Sequence, residues 1–267
     1  MKLLTVIGAR PQIIKSSAFS RAIKECYSDK IEEVIVHTGQ HYDENMSEVF
    51  FTELDIPAPK YNLAVGSGKH GVQTAKMIER LEEVIEAEQP NALILYGDTN
   101  STLAGAIAAS KVHLPIVHIE AGLRSFDKAM PEEVNRILCD HVSTLLFSPT
   151  RTGYENLVNE GFSTQLQEKP TANKPNIYHC GDIMYDNTLF FSSKADSVAE
   201  KFDIPQEGFK FQENNSSFAP THKKDDAFNA WRDICKSCGR KSEYSNHRAC
   251  IFLRNDLFGK EFRFDFD

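Results

Sequence analysis

The sequence has no long uninterrupted run of apolar residues, and it has few cysteines. A helix that crosses a membrane needs about 18 apolar residues in a row, and no stretch of the 267 residues approaches that length. Polar side chains interrupt the first ten residues too soon for the apolar part of a secretory signal. Six cysteines are too few for a disulfide scaffold in a chain of this size. We therefore expect a soluble, cytoplasmic protein with no membrane contact.

An excess of positive charge is also lacking. The chain carries 30 basic and 38 acidic residues, for a net charge of -8. This balance argues against broad affinity for nucleic acid or anionic lipid, although a local cationic pocket for a phosphate remains compatible with it. The apolar fraction of 41% and the charged fraction of 25% are ordinary for a globular protein, and the length predicts one or two domains.

Aliphatic residues become scarce after Pro205. From residue 206 to residue 267 there is no valine, and the only leucines and isoleucines are Ile234, Ile251, Leu253 and Leu257. Half of the chain's 18 phenylalanines nevertheless lie in this segment. Buried parallel strands need nearly continuous aliphatic runs, which such a composition cannot supply. We predict one domain over residues 1–204 and an irregular or poorly ordered tail over residues 205–267.

Cysteine and histidine are clustered in the tail. Cys235 and Cys238 are followed by His247 and Cys250, and all four are residue types that bind zinc. The second pair matches no established spacing, so chance is the better explanation, and we predict no metal site.

Strands and helices alternate through the first 200 residues. Short apolar runs predict buried strands at residues 2–7, 31–36, 92–96, 114–119, 144–147 and 177–179. The clearest helix lies at residues 74–85, where apolar side chains occur at i, i+1, i+4, i+7 and i+8. Such alternation is typical of right-handed crossovers and of a parallel sheet with helices on both faces. The predicted fold class is α/β, with a doubly wound parallel sheet.

Polar residues follow four of the predicted strands, in segments 8–12, 38–42, 97–100 and 120–124. The carboxyl ends of parallel strands lie at one edge of a sheet, where ligands bind in folds of this class. Loops that a rigid sheet positions commonly carry function. We therefore predict a ligand site built from these four loops.

The first of these loops favours phosphate recognition. Gly8 permits a tight turn into a helix whose N-terminus presents free N–H groups and the positive end of a dipole. Arg10 adds a bidentate donor that suits a phosphate. The sequence contains neither the Gly-x-x-x-x-Gly-Lys loop of nucleoside triphosphatases nor the dinucleotide pattern Gly-x-Gly-x-x-Gly. The alternative is a surface arginine without a ligand.

Three carboxylates are candidates for proton transfer. Asp98 and Glu120 follow neighbouring strands, and Glu132 opens a helix after Pro131. If they converge, like-charge repulsion and burial raise the pKa of at least one of them, as acid–base catalysis near neutral pH requires. The alternatives are a helix cap for Asp98 and a helix-dipole contact for Glu132, which is the better explanation for Glu132 taken alone.

Four further side chains are candidates for ligand contacts. Lys15 lies one turn into the first helix and either offsets phosphate charge or lies in solvent. His41 follows a strand end, where it could bind or donate, although a single histidine is more often incidental. Arg124 and Arg136 either hold the carboxylates, contact the ligand, or form ordinary surface ion pairs.

Several segments match the motifs of one enzyme family in the family's order. The matching segments are 8–15, 39–42, 66–74, 97–104, 118–124, 131–136 and 181–182. They resemble the non-hydrolysing UDP-N-acetylglucosamine 2-epimerases over about residues 1–190. Segment 66–74 is similar to the branch that acts on UDP-N-acetylglucosamine or on its diacetamido-uronate relatives.

The resemblance implies a fold, a reaction and a set of roles. The fold is glycosyltransferase-B-like, with two Rossmann-like domains, of which residues 1–204 would form the first. The reaction is inversion at C2 of a UDP-amino sugar through elimination of UDP and its re-addition, with no cofactor or metal. A homodimer is compatible with the family. The implied acid–base residues are Asp98, Glu120 and Glu132, and the implied substrate-binding residues are Arg10, Lys15, Gln40, His41, Arg124 and Arg136.

The tail departs from the family. The second-domain motifs, a His-Arg pair, an Asp-Ser-Gly-Gly loop and an Arg-x-x-Thr-Glu-x-Pro-Glu segment, are not found in the sequence. We interpret the tail as unrelated sequence of the kind that a frameshift or gene rearrangement produces. Without the second domain, only one side of the substrate cleft is present. We therefore expect weak ligand binding and little turnover, because orientation of the substrate by both domains contributes to catalysis. Two alternatives stay open: a hydrolysing epimerase or sugar transferase on the same fold, and a non-catalytic half-domain that binds a nucleotide or a partner.

Overall fold

The structure is a computed structural model that describes residues 1–40, 51, 54 and 56–192. His41, the expected domain boundary near residue 205 and the cysteine cluster of the tail all lie outside the described residues. The site discussed below belongs to a unit that includes Met1–Thr188.

Seven parallel strands form one sheet in this part of the chain. They are β1 (Lys2–Ile7), β2 (Glu32–His37), β3 (Tyr61–Asn62), β4 (Ala92–Tyr96), β5 (Ile116–Ile119), β6 (Leu145–Ser148) and β7 (Asn176–His179). Their order in the sheet is β3-β2-β1-β4-β5-β6-β7, and each neighbouring pair is parallel. The parallel, doubly wound sheet expected from the sequence is confirmed.

Helices cover both faces of the sheet. They are α1 (Arg10–Ala22), α2 (His70–Glu88), α3 (Asn100–Lys111), α4 (Pro131–Val142), α5 (Arg151–Asn159) and α6 (Ile183–Ser192), and a π-helical turn, Ile23–Tyr27, extends α1. Phe19 of α1 and Ile183 of α6 pack on one face. Met77 of α2, Ala104 of α3 and Cys139 of α4 pack on the other. Because both faces are covered, the central strands can be aliphatic throughout.

Helix α2 follows the predicted apolar stripe and is longer than expected. Met77, Leu81, Val84 and Ile85 are buried against the sheet, as a 3.6-residue period requires. The helix runs to Glu88, and in its last turns Val84 and Ile85 still face the sheet. None of the helices within the described ranges combines the length and the apolar character that crossing a membrane requires.

The sheet has one switch point, between β1 and β4. From β1 the chain moves outward through β2 and β3, and it then returns to add β4 on the other side of β1. The connections that follow β1 and β4 therefore leave the sheet in opposite directions, and a crevice opens at the carboxyl ends of these two strands. The four polar loops predicted from the sequence follow β1, β2, β4 and β5, the strands around this point.

Candidate active site

Gln12 joins the loop after β1 to the end of β4. Its side-chain oxygen accepts hydrogen bonds from the backbone N–H groups of Gly8 and Ala9 at 2.9 and 3.1 Å. Its side-chain nitrogen donates to the carbonyl of Tyr96 at 2.9 Å and to the Thr102 hydroxyl at 3.0 Å. Since Gln12 is only 2% exposed, the protein itself satisfies these groups. The two N–H groups that directly precede α1 are thus occupied.

Gly8 is needed for the close approach of two loops and the start of α3. A Cβ at this position would lie 2.1 Å from Ser101 Oγ and 2.2 Å from Thr38 Oγ1, which no real Cβ tolerates. The glycine therefore lets the loops after β1 and β2 meet the start of α3. Arg10, the first residue of α1, is exposed and is the side chain of this loop that a ligand can reach.

Gln40 connects the loop after β2 to the N-terminus of α3. Its side-chain oxygen accepts from the backbone N–H of Ser101 at 3.1 Å and from the Ser101 hydroxyl at 2.7 Å. The amide group is therefore held beside the first turn of α3, at the rim of the crevice.

Lys15 and Glu120 form an ion pair in the crevice. Lys15 lies in α1 and Glu120 directly follows β5, and their side chains are 13% and 25% exposed. Gly97, which follows β4, lies against both, since a Cβ there would be 3.1 Å from Glu120 Oε2 and 3.6 Å from Lys15 Nζ. Helix α1 and the ends of β4 and β5 therefore meet at one point.

The backbone of Glu120 is strained. Its φ is 80°, in the left-handed region that non-glycine residues rarely adopt, at a cost of about 1 kcal/mol or more. The N–H groups of Glu120 and Ala121 both donate to the carbonyl of Phe147 at 3.0 Å, which holds the turn in place. Strain of this kind is concentrated at functional sites.

Helix α4 holds Asp98, the second carboxylate of the crevice. Arg136 approaches one oxygen of Asp98 with Nη2 at 2.7 Å and Nε at 2.9 Å. The Asn135 side chain donates to the Asp98 backbone carbonyl at 2.8 Å. Two consecutive residues of α4 thus position both the backbone and the side chain of Asp98.

Two of the three candidate carboxylates are paired with cations. Asp98 meets Arg136 and Glu120 meets Lys15, so each faces a cation instead of another carboxylate. Glu132 is exposed at the second position of α4. It lies on the helix face of Arg136, four residues away, and its carboxylate has no hydrogen-bond or ion-pair partner within the described ranges.

Glu133, and not Glu132, is the buried carboxylate at the start of α4. It is 1% exposed and accepts from the backbone N–H groups of Ser125 and Phe126, each at 2.9 Å. It also pairs with Arg136 at 2.8 Å. Burial alone would raise the pKa of Glu133, but these hydrogen bonds outweigh burial and lower it below its usual value. Glu133 is not among the residues predicted from the sequence, although its i,i+3 spacing from Arg136 was a usable signal.

Arg124 points away from the crevice. Its side chain is 1% exposed, with Nη1 2.7 Å from Asp140 and Nε and Nη2 in a two-pronged contact with Glu160 at 2.6 and 2.7 Å. Its partners are Asp140 and Glu160 rather than Asp98 or Glu120, so of the three alternatives the structure shows an ion pair, and a ligand contact of Arg124 stays a prediction. Glu160 lies 36 residues further along the chain, a pairing that local sequence cannot reveal.

Fold and site together define the class of protein. It is a doubly wound α/β domain with a charged crevice at its switch point, in which two carboxylates are each paired with a cation. A family model described as UDP-N-acetylglucosamine 2-epimerase matches residues 24–256, and the chain belongs to this family. The resemblance stated from the motifs is confirmed. The match also reaches residue 256, and so includes most of the tail that we expected to be unrelated to the family.

Two curated relatives show how much of such a protein the chain represents. It is 55% identical over 197 residues to the UDP-2,3-diacetamido-2,3-dideoxy-D-glucuronate 2-epimerase of Pseudomonas aeruginosa, covering 74% of this chain and 53% of the relative. It is 52% identical over 189 residues to the UDP-N-acetylglucosamine 2-epimerase of Methanocaldococcus jannaschii, covering 71% and 48%. The chain spans about half the length of the curated relatives it matches.

Solved structures of related enzymes share the fold. The Methanocaldococcus jannaschii UDP-GlcNAc 2-epimerase in complex with UDP-GlcNAc and UDP has a TM-score of 0.66 and 45% identity, with 76% of this chain and 53% of that one covered. The enzyme from Neisseria meningitidis bound to UDP-GlcNAc has a TM-score of 0.67 and 28% identity, with 77% and 53% covered.

Proposed function

We propose that this chain carries acid–base residues of a non-hydrolysing epimerase, which inverts C2 of a UDP-amino sugar by eliminating UDP and adding it back. The observation that carries the proposal is the Lys15–Glu120 ion pair, which lies with the Arg136–Asp98 pair at the switch point of the sheet. Membership of the 2-epimerase family supports the same reaction. The acid–base residues in this proposal are Asp98, Glu120 and Glu132.

The reaction needs a base, a bound leaving group and an acid. One carboxylate takes the C2 proton while the C1–O bond breaks, and the electron pair of that bond leaves with UDP. A second acid then protonates C2 from the opposite face, and the UDP oxygen re-forms the bond to C1. Atoms and oxidation state balance without a redox partner. Asp98 and Glu120 come from different strands, and this arrangement suits proton transfer on two faces of one sugar ring.

Lys15 has two roles in this scheme. In the free protein it neutralises Glu120. A pyrophosphate that reaches Lys15 and Arg10 competes for this cation, because phosphate oxygens carry more charge than one carboxylate. Substrate binding would then weaken the ion pair and release Glu120 as a base, while the bound cations stabilise the departing UDP. Gln40 at the rim is a further proposed substrate contact, and His41, which lies outside the described residues, is proposed as another on its sequence motif alone. Arg136 acts by orienting Asp98.

Two substrates are consistent with the relatives. One relative with 55% identity is named for UDP-2,3-diacetamido-2,3-dideoxy-D-glucuronate, and one with 52% identity is named for UDP-N-acetylglucosamine. We propose a UDP-2-acetamido sugar as the shared substrate class, with UDP-N-acetylglucosamine as the first compound to test and the diacetamido-uronate as the second.

Proton NMR in D2O tests the reaction directly. The wild type should replace the C2 proton of the UDP-sugar with deuterium and form the manno epimer, at the low rate expected of a chain that spans about half the length of its relatives. Glu120→Gln should slow this by at least about 100-fold. Glu155→Gln is the matched control, because Glu155 is an exposed glutamate that pairs with Arg151 on α5. An unsaturated sugar together with free UDP would show elimination without re-addition. Free amino sugar would support a hydrolysing enzyme, and binding without exchange a non-catalytic domain.

A homodimer is part of the proposal. Helix α4 and the segment before it expose four apolar side chains, Phe126, Met130, Val134 and Leu138, of which Phe126 is 78% exposed. Apolar surface of this kind favours association. Sedimentation of the full chain at two concentrations tests the homodimer, with Leu138→Glu as the comparison variant. A wild type that sediments as a monomer at both concentrations contradicts the homodimer.

A further inference from the structure

His118 and Asp140 form a buried pair behind the crevice. His118 lies in β5 and Asp140 near the end of α4, and both are 0% exposed. The ring Nδ1 of His118 is 2.6 Å from Asp140 Oδ1, and its Nε2 is 2.8 Å from the carbonyl oxygen of Gly97. Histidine therefore bridges α4 to the residue that directly precedes Asp98.

The second oxygen of Asp140 reaches the other functional turn. Asp140 Oδ2 accepts from the backbone N–H of Gly122 at 3.0 Å. Gly122 follows Glu120 by two residues and closes its turn with a φ of 79°. A Cβ at Gly122 would lie 2.2 Å from the carbonyl oxygen of Gly153, so the turn has little freedom to move. The His118–Asp140 pair thus contacts both turns that carry the proposed acid–base residues.

Charge holds the pair in one orientation. The Gly97 carbonyl only accepts, so Nε2 of His118 carries a hydrogen. Burial alone would lower the pKa of His118, but Cys139 and Asp140 outweigh it and raise the pKa well above its usual value. Burial likewise acts to raise the pKa of Asp140, and His118 and Arg124 outweigh it and lower the pKa. Asp140 Oδ1 and the Gly97 carbonyl oxygen are both acceptors, so a hydrogen bond holds the ring of His118 at each end.

We propose that His118 is a positioning residue that fixes the turn of Asp98 relative to the turn of Glu120. The inference rests on the proposed function, in which both carboxylates act on one sugar. A displacement of about 1 Å in a reacting group can reduce a rate on the order of 100-fold. His118 touches no substrate in this role and acts through Gly97 and Asp140.

The test compares His118→Gln and Asp140→Asn with a control histidine. His141→Gln is the control, because His141 also lies beside a carboxylate, Glu160 at 3.2 Å, but on the surface. For both test variants, kcat for C2 exchange should fall about 100-fold while KM stays close to the wild-type value, since ground-state binding is retained. Thermal unfolding of each variant gives the folded fraction, and rates are expressed per folded molecule. An unchanged kcat on that basis, or an equal loss in His141→Gln, overturns the proposal.

Amide NMR of the ligand-free chain separates this inference from the reaction itself. Asp140→Asn should shift the backbone amide signals of both Asp98 and Glu120, and His141→Gln should leave them in place. If the wild type shows no C2 exchange, the proposed function has failed, while displaced signals still support the positioning role. Unmoved signals overturn that role whatever the activity. If His118→Gln does not fold, Asp140→Asn decides by the same criteria.

Discussion

Glu120 combines a strained backbone with a charged partner. Its φ of 80° is unfavourable for any residue with a Cβ, and its carboxylate pairs with Lys15. Glycine would relieve the strain, so the presence of glutamate indicates that the side chain is needed where the turn places it.

Replacing Glu120 by glycine should leave the protein more stable than replacing it by alanine. Both variants lose the ion pair with Lys15, so their difference isolates the backbone strain. We expect Glu120→Gly to exceed Glu120→Ala by about 1 kcal/mol in free energy of unfolding. Urea unfolding at constant m-value measures this. The control is Ala104, inside α3, where glycine should make the protein less stable than alanine does. Equal free energies of unfolding for Glu120→Ala and Glu120→Gly would contradict the strain.

Lys15 should contribute to the binding of UDP. Lys15→Gln removes a charge-assisted contact to phosphate, and we expect the affinity for UDP to fall at least about tenfold by calorimetry. Lys111→Gln is the matched control, since Lys111 is exposed at the end of α3. Equal affinities for wild type and Lys15→Gln would remove Lys15 from the proposed phosphate site.

At the scale of elements, Glu88 ties the end of α2 to the far edge of the sheet. Lys60 Nζ lies 2.6 Å from its carboxylate, the Tyr61 hydroxyl donates at 2.6 Å, and Lys2 Nζ lies at 3.0 Å. These contacts, with Lys60 the strongest, lower the pKa of Glu88 to about 2. A strand of two residues, β3, and the last turn of a helix are thereby connected to β1.

Acid should weaken this connection in a defined window. A depressed folded-state pKa means that the carboxylate stabilises the fold above its usual pKa near 4.5, and that this contribution is lost as the pH falls toward about 2. Glu88→Gln should reduce the free energy of unfolding by about 1 kcal/mol at pH 6. The difference from wild type should shrink as the pH approaches 2.5.

A control on the same helix makes the Glu88 measurement specific. Glu79 is exposed on α2, and Glu79→Gln should change neither the stability nor its pH dependence. A wild-type minus Glu88→Gln difference that stays constant from pH 6 to pH 2.5 would contradict the ion-pair explanation.

The elements that the sequence could predict are those with enough residues to show a period. β1 and β4 are short aliphatic runs, and α2 shows its stripe over several turns, so each was recognisable. β3 contains only Tyr61 and Asn62, and its pairing depends on the exposed edge of β2. A strand of two residues has no pattern of its own, and only the folded sheet defines it.

The same limit applies to the candidate site. Asp98 and Glu120 were predictable because the residues after parallel strands lie at one edge. The partners that position them were not, since His118 and Asp140 lie inside a strand and a helix, where a sequence pattern indicates core. The pairing of Arg124 with Glu160 depends on how α5 packs, and the helix spacing within α4 carries no information about it.

At the scale of the whole molecule, the crevice is built on the best-protected strands. β1, β4 and β5 lie inside the sheet and are covered on both faces, and Leu93, Ile94 and Leu95 are fully buried. β3 and β7 lie at the two edges of the described sheet. Local opening is easiest where few contacts hold a strand, so stability should decrease from the site outward.

Hydrogen exchange should show this gradient and its relation to the ligand. Amides of β4 should exchange only through global unfolding, and those of β7 at least about tenfold faster through local opening. UDP should slow amide exchange in loops 97–100 and 120–124, because these loops carry Asp98 and Glu120. The exchange rates of the β4 amides should stay the same once any change in the global free energy of unfolding has been taken into account. Loop 163–175, which lies between α5 and β7 in the chain and carries none of the proposed site residues, is the internal control and should not respond. If β7 exchanges as slowly as β4, the sheet opens as one unit, and the positions of the two carboxylates then depend on edge contacts as much as on the central strands.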